Sequence, residues 1–232
     1  METKLTRTLL ACGVIAGPLY IIVTLAQAFT REGFEISRHS ASLLSNGELG
    51  WIQITNLLVA GLLTMAGAVG MRRALSTGKG STWGPLLVGA YGLSLIGAGI
   101  FVADPAFGFP PGTPPGTPAT MSLQGLLHFL SGGLGFLALI AACFVFARRF
   151  ATQGQRSWAL YSMLTGVLFF LAFLGISSGS SQAWIILGFW IGVVLAWAWI
   201  SAIAARLMTR LRATIEQTMP GRDPSTFQKQ QR

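Results

Sequence analysis

Charge is what this sequence has least of. Lys and Arg number 16 and Asp and Glu 7 among 232 residues, 10% in all, against roughly 25% in an ordinary soluble domain. So few charges cannot wet a folded surface of this size, which excludes a soluble enzyme. Cysteine is almost absent: Cys12 and Cys143 are the two, too few for a secreted disulfide scaffold. Histidine also occurs only twice, at His39 and His128. What is abundant is apolar: residues of the AVILMFWYC set make up 52%, which excludes a disordered chain.

The charge-free runs settle the class. They cover 8–30, 49–71, 80–103, 105–147 and 157–205. About 20 apolar residues cross a bilayer as a helix, so the first three runs hold one span each and the last two hold more. As one helix the 49-residue run would extend about 73 Å; it must fold back, and Ser177-Ser178-Gly179-Ser180-Ser181 is the turn. The 43-residue run breaks within 104–120, where six Pro fall among seventeen positions. Spans are expected near 8–29, 51–71, 83–103, 122–147, 158–176 and 184–205. Four of them begin at a Trp, as an interfacial aromatic belt would have it.

Orientation follows from the basic residues. With six spans, 14 of the 16 Lys and Arg fall on the side of the termini, and only Arg31 and Arg38 on the other. The positive-inside rule then places both termini in the cytoplasm. The basic balance is thus a topology signal and not a nucleic-acid footprint. One alternative concerns the first span: Lys4 and Arg7 precede an apolar run that ends in Ala26-Gln27-Ala28, which has the form of a signal-peptidase site. The run is long for a signal peptide and carries Gly17-Pro18 in its middle, which favours a retained helix. Gly13–Gly17, Gly188–Gly192 and Ser131–Gly135 have the small-xxx-small spacing that lets helices approach in lipid. Intramolecular packing is preferred for them over a homodimer face.

No Asp, Glu, Lys or Arg lies in the middle of a span, which counts against ion-coupled transport. Polar residues gather instead at the outer face. Arg38 and His39 lie in the first outer loop, and Asn56 follows early in the second span. Asp104 ends the third, and Gln124 and His128 share an i, i+4 face at the start of the fourth. These six are the candidate ligand-binding residues of an outward-facing polar cup. No catalytic residue is assigned; the alternative makes Asp104 and His128 an acid/base pair of a lipid hydrolase or transferase. No G-x-S-x-G elbow marks a nucleophile. No close-spaced ligand motif marks a metal, and neither metal nor cofactor is expected. The plainest reading has Asp104, His128, Asn56 and Arg38 satisfying one another. The Pro-Pro-Gly-Thr loop reads as a stiff cap whose Phe107 and Phe109 could dip to the interface. Beyond Ala205, Leu207, Leu211 and Ile215 continue an amphipathic helix until Pro220-Gly221.

S-x-L-x-x-G-x-x-G-W at Ser42–Trp51, F-x-x-D-P with G-F-P-P-G at Phe101–Gly112, and G-x-x-H-F at Gly125–Phe129 resemble the bacterial membrane family called domain of unknown function 998. The resemblance runs from about residue 10 to 205. It implies a six-helix inner-membrane protein and no particular activity.

The expectation is therefore an all-α, polytopic six-helix transmembrane bundle, N-in and C-in, over 1–208, followed by a basic cytoplasmic tail over 209–232. Its function is expected to be non-catalytic in the plasma membrane: binding or passing a lipid or small amphiphile, or partnering a membrane protein or a second copy of itself. Membrane lipids are the expected partners, and nucleic acid is not.

Overall fold

The computed structural model describes residues 2–75, 77–118 and 120–218. It contains α1 (Glu2–Thr30), α2 (Gly50–Ala74), α3 (Trp83–Ile100), α4 (Leu123–Thr152), α5 (Arg156–Ser177) and α6 (Ala183–Thr218). All six are long and apolar enough to cross a membrane, and the described residues form no strand. A short 3-10 helix, Ala41–Ser45, lies in the loop after α1.

Several helix ends differ from the expected span limits: α1 already begins at Glu2, and α2 runs on to Ala74. α3 stops at Ile100, short of 103, because Phe101 turns to extended backbone. α4 continues past 147 to Thr152 with Arg148 and Arg149 still helical. Arg149 caps the neighbouring loop there, donating to the carbonyls of Thr77 and Lys79 at 3.1 and 2.9 Å. α6 runs on through Leu207 and Leu211 as their spacing requires. Its expected stop at Pro220-Gly221, and the rest of the tail, lie outside the described residues.

Each helix packs on its neighbours in sequence, and α6 closes the ring on α1 while also touching α2. The outside is a belt of large apolar side chains, among them Ile22, Leu62, Leu93, Leu134, Leu171 and Ile191. Thr24, Gln53, Asn56, Thr64, Ser162 and Thr165 are buried inside. That is the reverse of a soluble protein and what a lipid solvent selects. The molecule is a multi-pass membrane protein.

Small residues set the spacing of the ring. A Cβ on Gly67 of α2 would stand 2.6 Å from the Cα of Gly13 in α1, and one on Gly17 would stand 2.8 Å from the Trp197 carbonyl oxygen of α6. Both glycines of the first small-xxx-small pair are therefore consumed inside the bundle. Ser131 and Gly135 of α4 likewise meet Gly97 and Ser94 of α3. Gly188 differs, with nothing within 4 Å of its Cβ position.

The core falls into two parts. The larger runs down the ring axis, with Tyr20 stacked on Trp197 at 4.9 Å between ring centroids and Trp199 donating to Ser162 Oγ at 2.9 Å. The smaller is a cap formed where the two long loops fold onto one end of the bundle, the capped end. It joins Phe34, Leu43, Leu44, Phe109, Ile186 and Trp190. Phe109 is fully buried in it, so it does not dip to the interface. The opposite, basic end carries the α2–α3 and α4–α5 turns with their Arg and Lys.

Candidate functional site

Between the cap and the ring lies a cavity of about 300 Å³ that all six helices help to line. Its walls are mostly apolar, with Leu57, Leu95, Phe136, Phe173, Phe189 and Val193 at depth. Its polar groups are Tyr20, Tyr91 and Ser94 toward the middle, and Ser40, Ser42, Asp104, His128 and Ser177 nearer the cap. Among the described residues no Lys or Arg lines it.

Asp104 and His128 face it because of how α3 hands over to α4. The Asp104 carboxylate accepts from the backbone N–H of Ser122, at 2.8 Å, and from the Ser122 hydroxyl. Ser122 Oγ accepts in turn from the Gly125 N–H at 3.0 Å. Asp104 thus stands at the N-terminus of α4, where a negative charge is stabilised by unpaired N–H groups and the helix dipole. Only glycine fits at 125, since a Cβ there would collide with that carboxylate. One turn further, His128 Nδ1 lies 3.0 Å from the Ala98 carbonyl and 2.7 Å from that of Phe101. Two acceptors facing one nitrogen place the proton on Nδ1 and leave Nε2 as an acceptor in the neutral ring. The histidine caps the C-terminus of α3, whose last carbonyls have no helical partners.

The structure brings these two candidates to one cavity and places the other four elsewhere. His39 is 1% exposed but belongs to the cap. Its Nδ1 accepts from the Glu35 N–H at 2.9 Å, its Nε2 donates to the Phe107 carbonyl at 3.1 Å, and its own carbonyl accepts from Trp190 Nε1 at 3.0 Å. Arg38 lies on the outer side of the cap, in an open cleft with Glu35, Ser37 and Thr117, where it donates to the Pro115 carbonyl at 3.2 Å. Gln124 is exposed. The cavity meets α4 along 125, 128, 132 and 136, and a residue at 124 sits about 100° from 125 on a helix.

Asn56 is buried between α2 and α1, donating to the Tyr20 carbonyl at 3.1 Å, Thr24 Oγ1 at 3.0 Å and Gln53 Oε1 at 3.3 Å. Gln27 Nε2 and Thr24 Oγ1 converge on the same Gln53 oxygen at 2.9 and 3.3 Å. This amide network pins the first two helices. The expectation that Asp104, His128, Asn56 and Arg38 satisfy one another is thereby corrected: each bonds to a different set of groups, and Asn56 Oδ1 is buried without a hydrogen-bond partner. Among the described residues no Ser-His-Asp triad is assembled either. His128 spends Nδ1 on carbonyls, and the Ser40 and Ser42 hydroxyls bond each other at 3.0 Å. Among the described residues no three His, Cys, Asp or Glu side chains gather as a metal site would require.

Sequence reasoning missed Tyr20, Tyr91 and the doublet Gly132-Gly133. The doublet was the available signal: two adjacent glycines in mid-helix cannot both serve one packing seam. In the structure both line the cavity. Gly132 has nothing within 4 Å of its Cβ position, and Gly133 meets only the edge of Phe173 at 3.7 Å. α5 buries Ser162, Thr165, Gly166 and Phe169 and nothing beyond. α4 buries Gly125 and then nothing until Gly135. The α4–α5 seam is tight toward the basic end and loose toward the capped end.

Residues 14–206 match the family model described as "Protein of unknown function (DUF998)". No curated protein and no solved structure matches the chain.

Proposed function

The chain belongs to the domain of unknown function 998 family, and from that premise we propose that this member is a non-catalytic amphiphile-binding protein of the plasma membrane, with both termini in the cytoplasm. One amphiphile places its chain in the cavity and its head beneath the cap. The observation that carries this reading is an apolar cavity with a few convergent polar groups beside a loosely packed α4–α5 seam. Its volume lies at the lower end of the roughly 300–1,000 Å³ usual for small-molecule sites, suited to one alkyl chain rather than a two-chain lipid. Gly132 and Gly133 leave room in the seam for lateral entry from the leaflet on the capped side.

The test is to fill the cavity and weigh what the protein carries. Wild-type protein, purified gently, is expected to hold about one chain-bearing amphiphile detectable by native mass spectrometry. Gly132→Phe removes it, while Leu134→Phe, on the lipid-facing side of the same helix, does not. An equal complement in wild type and Gly132→Phe, or none in either, would overturn the reading.

A further inference from the structure

The cavity also carries information about the head of its ligand, an inference that rests on the amphiphile reading. We propose that it selects a single-chain amphiphile with an ammonium head and rejects an anionic one. Among the described residues Asp104 is the one charged side chain in the lining, and no basic side chain pairs with it. The two basic residues near the cap are committed elsewhere. Arg31 donates to the carbonyls of Leu44 and Asn46 at 3.1 and 2.6 Å and lies over the Phe109 ring, while Arg38 faces the outer cleft.

At the N-terminus of α4, where a phosphate would otherwise find N–H donors, Asp104 already supplies the negative charge. Asp104 takes the Ser122 N–H, and Ser122 takes that of Gly125. The helix dipole offsets roughly half a charge of that carboxylate, but a second anion beside it would be repelled in a low-dielectric site. The His128 ring adds an acceptor, Nε2, once Nδ1 is bound to the α3 carbonyls, and the Tyr and Ser hydroxyls of the lining can accept as well as donate. Phe107 and Phe129, which also line the cavity, present aromatic surface on which an alkylammonium is favoured. An ammonium supplies three N–H donors to this set, and its charge pairs with Asp104. A phosphate or carboxylate head supplies only acceptors.

Three dodecyl probes with different heads separate this proposal from the reading beneath it: dodecylamine, dodecanol and dodecyl phosphate. Binding is measured to the full chain in phosphatidylcholine nanodiscs at neutral pH, with empty nanodiscs as the partition control. Dodecylamine is expected to bind at least about tenfold tighter than dodecyl phosphate, with dodecanol between them. In Asp104→Asn, which keeps an oxygen for Ser122, the amine loses its advantage over the alcohol and the alcohol is unchanged. If dodecyl phosphate binds as well as the amine, the head selection is wrong while the cavity reading survives. If no probe binds above the empty-nanodisc level, the cavity reading itself falls. Should Asp104→Asn fail to fold, the ranking of the three probes on the wild-type chain still decides.

Discussion

His39 illustrates how a residue type with catalytic potential is spent on architecture. Both ring nitrogens and its carbonyl are bonded to three different segments, and its ring lies between Phe34 and Phe109 at 5.2 and 5.6 Å. Replacing it by Ala leaves the Glu35 N–H and the Phe107 carbonyl without their partner and opens a void in the cap core. One buried polar group left unpaired costs about 1–3 kcal/mol, so His39→Ala is expected to lower stability by about 2–3 kcal/mol. Thermal unfolding of the purified variant checks the size. Hydrogen exchange checks the place: protection should be lost first in the 34–46 and 101–118 segments and last in α2. Even loss across all six helices would show that the histidine is not a cap residue.

At the scale of the helix, the glycines divide by what a side chain would meet. Gly67 is pressed on the Gly13 backbone, which cannot give way. Gly67→Val is therefore expected to cost at least about 1–3 kcal/mol by overpacking. Gly188→Ala meets open space and gains the helix propensity of Ala, about 0.8–1 kcal/mol in a helix interior. Parallel melting curves of the two variants test the contrast. A destabilised Gly188→Ala would mean that this face of α6 is covered by something other than lipid, such as a second copy of the chain.

The whole molecule has one end rich in Arg and Lys and one end closed by loops. Six spans place both described ends of the chain at the same end of the bundle, and 11 of the 13 described basic residues belong to it. Retention of positive loops in the cytoplasm then predicts labelling. With Cys12 and Cys143 replaced by Ala, single cysteines at Thr117 and Ser178 are expected to react with an impermeant thiol reagent on intact cells. Cysteines at Thr77 and Gln153 should react only after permeabilisation. All four positions are exposed, so accessibility does not bias the comparison. The reverse pattern would invert the molecule and place the cavity in the inner leaflet.

Number of spans, their rough limits and the inward use of small residues were legible in the sequence, because the bilayer imposes them on each segment separately. A run of about 20 apolar residues must be a helix wherever its neighbours are. The site was legible only in part. Asp104 and His128 could be assigned to the same membrane face, and both reach the cavity. His39, Arg38, Asn56 and Gln124 share that face and do not. Depth along the membrane normal is written in the chain as distance from a span end, whereas rotation about each helix axis is not. Gln124 and Gly125 are neighbours in sequence, yet one is exposed and the other is buried against a carboxylate. That angle is set by which glycine finds which partner across the ring. Gln27 makes the same point from the polar side. In the sequence it reads as the middle of a cleavage motif; in the bundle it is one arm of a buried amide network, because Gln53 and Asn56 face it from α2. Such pairings belong to two helices at once, and only their packing against each other decides them.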